Sequence, residues 1–206
     1  MAHIRIIRSL GILAAFGLAT TAHTQDYILS LEGGPAQIDT ADVSVTFTID
    51  VIGDVFESTG AEFMLWGAFA LETSGSAVVE GIAWTHADWS EFNLDGGYTN
   101  DGNYAQVEFG QWQGLDWTLP AESAIGNRIG SFQITLSQSD LSGDFHARLI
   151  HGNHFSLSTI NVDTGVSYYS TPDSLVLQGF STNIVPSPST LAILIGSGIM
   201  GMRPRR

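Results

Sequence analysis

The sequence predicts an all-β fold: a two-sheet antiparallel sandwich, jelly-roll or immunoglobulin-like, with an N-terminal signal peptide and a short C-terminal transmembrane helix. Three observations predict it. Apolar and polar residues alternate along short segments, the period of a half-buried strand. Gly, Asn, Asp and Ser punctuate those segments. No stretch of the body repeats its apolar residues at helical spacing. Ten or so strands, each with one apolar face, bury those faces in two layers. A closed barrel is the alternative. A membrane barrel is disfavoured, because no repeated lipid-facing band with aromatic girdles is present.

Three parts divide the 206 residues. Residues 1–24 read as a signal peptide. Arg5 and Arg8 supply its positive start, Leu10 to Leu18 its apolar run, and Ala22 and Thr24 its small-residue cleavage site. That run is too short to span a bilayer as an anchor. Residues 25–183 form the β domain, and residues 184–206 form a tail.

Within the β domain, the first strand is expected near 27–32. Val43, Val45, Phe47, Ile49 and Val51 then share one face of the clearest strand. In "AEFMLWGAFALE", Phe63, Leu65, Phe69 and Leu71 are expected on one side. Further strands are expected near 76–84 and 104–112, followed by "GSFQITLSQ", with Phe132, Ile134 and Leu136 inward. "DFHARLIHGNHFSLSTI" reads as a hairpin: Phe145, Ala147 and Leu149 face in, Gly152 and Asn153 make the turn, and Phe155 and Leu157 return. Strands near 166–170 and 174–180 complete the domain.

Composition excludes several chemistries. Cysteine is absent, so no disulfide, thiol nucleophile or thiolate metal site exists, and the fold relies on core packing or bound ions. Lysine is absent too, which removes Schiff-base catalysis and a P-loop. Five of the seven arginines lie at the chain ends, leaving Arg128 and Arg148 against all 21 acidic residues in the body. Such a surface repels nucleic acid and anionic lipid and attracts cations.

The tail begins "VPSPST", continues as an apolar run from Leu191 to Met202, and closes on Arg203, Arg205 and Arg206. As a helix, Pro188 to Met202 is about 22 Å long against a hydrocarbon core of about 30 Å. Ser187 and Pro188 suit its N-cap and first position, and the arginines would stay cytoplasmic. This tail resembles a PEP-CTERM sorting signal, through Val185, Pro186, Pro188, Ser189, the apolar run and the terminal arginines. Ser187 stands where that pattern has glutamate. The resemblance implies passage across the inner membrane of a Gram-negative-type bacterium. It further implies trimming by an exosortase-type membrane protease and delivery to the cell surface or exopolysaccharide matrix. It covers only the tail, with the signal peptide as its expected companion. A non-catalytic surface or matrix protein is the expected function.

Four groups of residues are candidates for chemistry in the body. Trp84, Trp89, Trp112 and Trp117, in "WTHADWSEF" and "FGQWQGLDW", are candidates for stacking on sugar rings of an extracellular polysaccharide. Asp95, Asp101 and Glu108 are candidate calcium ligands around a Gly/Asn/Asp loop, although the EF-hand spacing fails because Gly97 occupies the first ligand position. His146, His151 and His154, with Asp144, are a candidate zinc set. Asp88 and Glu91 near His86 are the one cluster compatible with a glycan-active enzyme. No Gly-x-Ser-x-Gly or His-Glu-x-x-His motif occurs.

Overall fold

A computed structural model of the chain describes residues 26–39, 44–112, 118–137, 143–152 and 155–185. The signal peptide, Val43, Trp117, His154 and the tail from Pro186 onward lie outside the described residues.

Two sheets stack as an all-β sandwich. The first, in the order β12-β1-β3-β8-β5, contains β12 (Leu175–Gln178), β1 (Tyr27–Glu32), β3 (Ser44–Val55), β8 (Arg128–Ser137) and β5 (Val78–His86). The second is built around the long β4 (Glu62–Gly75). One edge of β4 carries β7 (Tyr104–Gly110) and then β6 (Phe92–Asp95). Its other edge is shared by β10 (Ser158–Asn161), leading to β11 (Val166–Tyr169), and by β9 (Gly143–His151), leading to β13 (Phe180–Val185) and β2 (Gln37–Asp39). From β3 to β9 the chain passes from one sheet to the other at every connection except that between β6 and β7, which pair within the second sheet.

Local alternation drives the core. In β3, Ile49 and Val51 are buried while Ser44, Thr46 and Thr48 face solvent. Phe132, Ile134 and Leu136 of β8 and Phe145, Ala147 and Leu149 of β9 are buried as their spacing predicts. At the centre, Phe69 packs on Trp84, Phe109 and Phe132 at ring separations of 5.5, 5.7 and 6.2 Å.

Four expectations need correction. The sheets are mixed rather than purely antiparallel: β1 pairs with β12, and β13 with β2, in parallel. Each parallel pair joins strands far apart in sequence, which no local pattern encodes. Segment 143–157 is not a hairpin. Phe145 opposes Gly75 and His151 opposes Phe69, while Ser158 opposes Trp66 and Asn161 opposes Glu62. Thus β9 and β10 run end to end in one direction along a single edge of β4, separated by an excursion whose described residues are Gly152 and 155–157. Phe155 O accepts the Ala68 N–H at 3.2 Å, so the excursion keeps the edge satisfied. In β4, Thr159 opposes Met64 directly after Ser158 opposes Trp66, so Leu65 is an extra bulged residue. The bulge turns Met64, rather than Phe63 and Leu65, fully into the core. Finally, β13 includes Ile184, which is buried, and Val185, so the sheet reaches past the expected domain end at residue 183.

A buried carboxylate closes the end of the sandwich where β4 begins. Glu62 is 3% exposed and accepts hydrogen bonds from Ser58 Oγ (2.9 Å), Thr59 N (3.1 Å), Thr59 Oγ1 (2.6 Å) and Asn161 Nδ2 (3.1 Å). Burial works against its charge, but the bonds from Thr59, Ser58 and Asn161 outweigh it and hold the carboxyl below its usual range. A lowered folded pKa gives stability that is complete above the unfolded value of about 4.3 and lost as pH falls through the folded value. Glu62→Gln is expected to cost about 2 kcal/mol at neutral pH, because an amide nitrogen meets donors. It should also flatten the acid limb of a Tm-against-pH curve. Superimposable curves for the two proteins would show that this cluster contributes nothing.

Candidate functional site

Strand register assembles a row of aromatic side chains on the outer face of the eight-stranded sheet. Tyr169 of β11 opposes Ser158 of β10, Ser158 opposes Trp66 of β4, Trp66 opposes Gly110 of β7, and Gly110 opposes Phe92 of β6. Large and small residues therefore alternate across five neighbouring strands. Phe155, from the excursion, packs between Trp66 and Tyr169, with ring separations of 5.2 and 5.0 Å. Phe92 meets Trp66 edge-on at 6.5 Å and 88°.

Trp66, Phe92 and Tyr169 are exposed yet braced by ring contacts. Trp66 is 42% exposed, Phe92 43%, Tyr169 57% and Trp112 76%. An apolar cleft of about 170 Å³ opens over Gly110, lined by Trp66, Phe92, Gln111 and Trp112. The Gln111 amide donates to Met64 O at 2.6 Å, and its backbone N–H donates to Leu65 O at 2.8 Å. Glu91 receives the Trp112 backbone N–H at 3.3 Å and donates its own N–H to Gly110 O at 2.8 Å. A side chain at position 110 would start 3.1 Å from Leu65 O and 3.2 Å from Trp66 Cδ1, so glycine keeps the floor open.

Charge around the row is acidic. Glu91 adjoins Phe92, and Glu108 opposes Leu94 two register positions away on the same face. The two described arginines are engaged elsewhere: Arg128 lies 3.8 Å from Asp50 on the other sheet, and Arg148 pairs with Glu72.

The candidate residues from sequence are scattered. Of the four tryptophans, Trp112 lines the cleft. Trp89 is 5% exposed, donates to Arg128 O at 2.9 Å and packs edge-on against Phe109. Trp84 is half-buried, 4.7 Å from Phe132, with Nε1 buried and unpartnered. Both are corrected from sugar platforms, because Trp89 is buried in the core and Trp84 packs partly buried against it. Trp117 lies outside the described residues. Sequence reasoning passed over Trp66, Phe92, Phe155 and Tyr169. Anchoring alternation on Phe69 and Leu71 already puts Trp66 on the opposite face, but nothing local links it to the other three.

Asp95, Asp101 and Glu108 do not converge. Asp95 opposes Val107 and Glu108 opposes Leu94, so their side chains leave opposite faces of the β6–β7 ribbon. Asp95 Oδ1 accepts the Tyr104 hydroxyl at 2.5 Å and the Gly97 N–H at 2.9 Å. Asp101 Oδ1 accepts from Thr99 Oγ1 (2.5 Å) and Asn103 N (3.0 Å), bonds that hold its carboxyl below the usual range. These carboxylates are turn and strand fasteners. Among the described residues, no group of three His, Asp or Glu side chains is placed to hold a metal ion. The candidate zinc set is separated likewise: His146 bonds Asp144 at 3.0 Å, and His151 lies at the other end of β9 near Ser156. His154 lies outside the described residues.

The carboxyls with shifted pKa values, Glu62, Asp101 and Asp144, are all lowered. Burial pushes the Tyr27 hydroxyl up to about 12, and burial together with Asp95 raises Tyr104. Asp88 and Glu91 are exposed, and His86 Nδ1 contacts Ala87 O at 3.1 Å.

No family model matches this chain, and no curated protein matches it either. Among solved structures, it is similar to cohesins. A cohesin–dockerin complex from Clostridium thermocellum aligns at 12% identity and TM-score 0.44, over 78% of this chain and 99% of that one. The seventh ScaB type I cohesin from Pseudobacteroides cellulosolvens aligns at 8% and 0.45, over 78% and 92%. A non-cellulosomal cohesin from Archaeoglobus fulgidus aligns at 10% and 0.41, over 82% and 97%. Sandwich domains share such layouts across unrelated functions. Among the described residues, no helix is long and apolar enough to cross a membrane.

Proposed function

We propose that this chain is an exported, non-catalytic binding module that works outside the cell, holding an extracellular partner through its aromatic row. The in-register row Tyr169–Ser158–Trp66–Gly110–Phe92 carries this reading. Exposed aromatic surface costs about 25 cal/mol per Å² left in water, so several braced rings on one face mark an interaction site.

Delivery is assigned to the signal peptide and the PEP-CTERM-like tail. Supporting this, β13 runs away from the row. Thr73 opposes Ala147, Ala147 opposes Phe180, and Gly143 opposes Ile184. At about 3.3 Å per residue, Val185 lies roughly 40 Å along the strands from Trp66. A tail leaving there would hold the module at one end and present the row near the other.

Fractionation of the native host tests both parts. The mature protein is expected in the matrix fraction, with an intact mass ending near Pro188. A Trp66→Ala/Trp112→Ala variant is expected to keep that C-terminus and move into the culture fluid. A solely membrane-bound form retaining Arg206 would overturn the delivery reading. Unchanged matrix retention of the double variant would overturn the binding role of the row.

A further inference from the structure

We infer that the aromatic row binds a neutral polysaccharide laid across the strands, with one sugar ring seated over Gly110 between Trp66, Phe92 and Trp112. The inference rests on the binding role proposed above and names the ligand of that same site.

Shape is the first argument. Five strands at about 4.8 Å spacing give a row of roughly 19 Å, long enough for an oligosaccharide rather than a single sugar. The rings recur at every second strand, which suits a repeating ligand. A cavity of about 150 Å³ accepts one benzene-sized ring, so the 170 Å³ cleft is scaled to one six-membered ring. Sugar C–H groups carry slight positive charge and stack on the negative faces of aromatic rings. The rings brace one another edge-on, so little ordering entropy is lost on binding.

Polar groups supply the second argument. The cleft is bordered by the Glu91 carboxylate, held against the Trp112 backbone, and by Gln111, fixed through Met64 O. Both offer oxygen acceptors to sugar hydroxyls.

Charge decides the class. Lysine is absent from the chain, and Arg128 and Arg148 are paired away from the row, while Glu91 and Glu108 flank it. An anionic glycan or a nucleic acid finds no lysine or arginine in the row itself to pair with. A second copy docking row to row would set these carboxylates against their equivalents, a like-charge contact that disfavours association. A neutral glycan needs no such compensation.

Native electrophoresis of the purified mature protein in gels containing hydroxyethyl cellulose, galactomannan, amylose or alginate tests the inference. Retardation is expected in at least one neutral gel and not in alginate. Trp112→Ala and Trp66→Ala should weaken it at least tenfold, with Trp112→Ala leaving the melting temperature unchanged. Phe56→Ala, an exposed aromatic outside the row, should match the wild type. No retardation in any neutral gel, or wild-type retardation of Trp112→Ala, overturns the inference. So does a concentration-dependent dimer in sedimentation that Trp112→Ala dissolves. Periodate treatment of the host matrix separates the two readings. If row-dependent retention survives destruction of the sugars, the glycan assignment fails while the binding role stands. If retention never depended on the row, both fail.

Discussion

Phe69→Ala is expected to be the most damaging single truncation considered for the body, at about 3–5 kcal/mol. Phe69 is fully buried in β4 and touches the rings of Trp84, Phe109 and Phe132, so it ties both sheets into one aromatic cluster. Those neighbours come from three other strands and cannot all collapse into the space left behind, so a cavity penalty adds to the lost burial. No disulfide shares the load, since the chain has no cysteine. For a domain of this size, the loss corresponds to a fall in Tm of roughly 10 °C. Thermal denaturation followed by near-ultraviolet circular dichroism measures it. A shift of only a degree or two would mean that the cluster repacks freely and that the sheets are held together elsewhere.

Gly67→Ala is the second large effect, expected at about 2–3 kcal/mol. A Cβ at position 67 would sit 2.2 Å from Ser156 O and 2.6 Å from Phe109 Cζ. The first contact is backbone, which yields only if the excursion lifts from β4. Lifting it strains the Ala68 N–H···O Phe155 bond and withdraws Phe155 from between Trp66 and Tyr169. This variant should therefore lose both stability and matrix retention, whereas Trp112→Ala loses retention alone. Lost stability with full retention would show that Phe155 is not needed in the row.

Much of the fold was legible in the residues. Strands β1, β3 and β8 and the inward residues of β9 follow from alternation, because side chains on an extended chain must point to opposite faces. Short segments such as β2, with three residues, and β6, with four, carry too little pattern to be seen. The 143–157 segment misled because Gly152-Asn153 has hairpin chemistry. Gly152 instead serves a close approach, since a Cβ there would lie 2.4 Å from Ala68 O.

The candidate site was less legible. Trp112 was singled out for its chemistry and does line the cleft. Trp84 and Trp89 were chosen on the same grounds and lie among core rings, because residue type does not report which face a ring turns to.

Sequence by itself determined the all-β class, the acidic body without lysine or cysteine, and most of the core-facing side chains. Those properties are compositional or depend on neighbours one or two residues apart. Tertiary structure alone decided that Trp66, Phe92, Phe155 and Tyr169 meet, that β9 and β10 share an edge, and that Asp95 and Glu108 face apart. Each of these depends on strand register, and register is set by packing among segments distant in the chain.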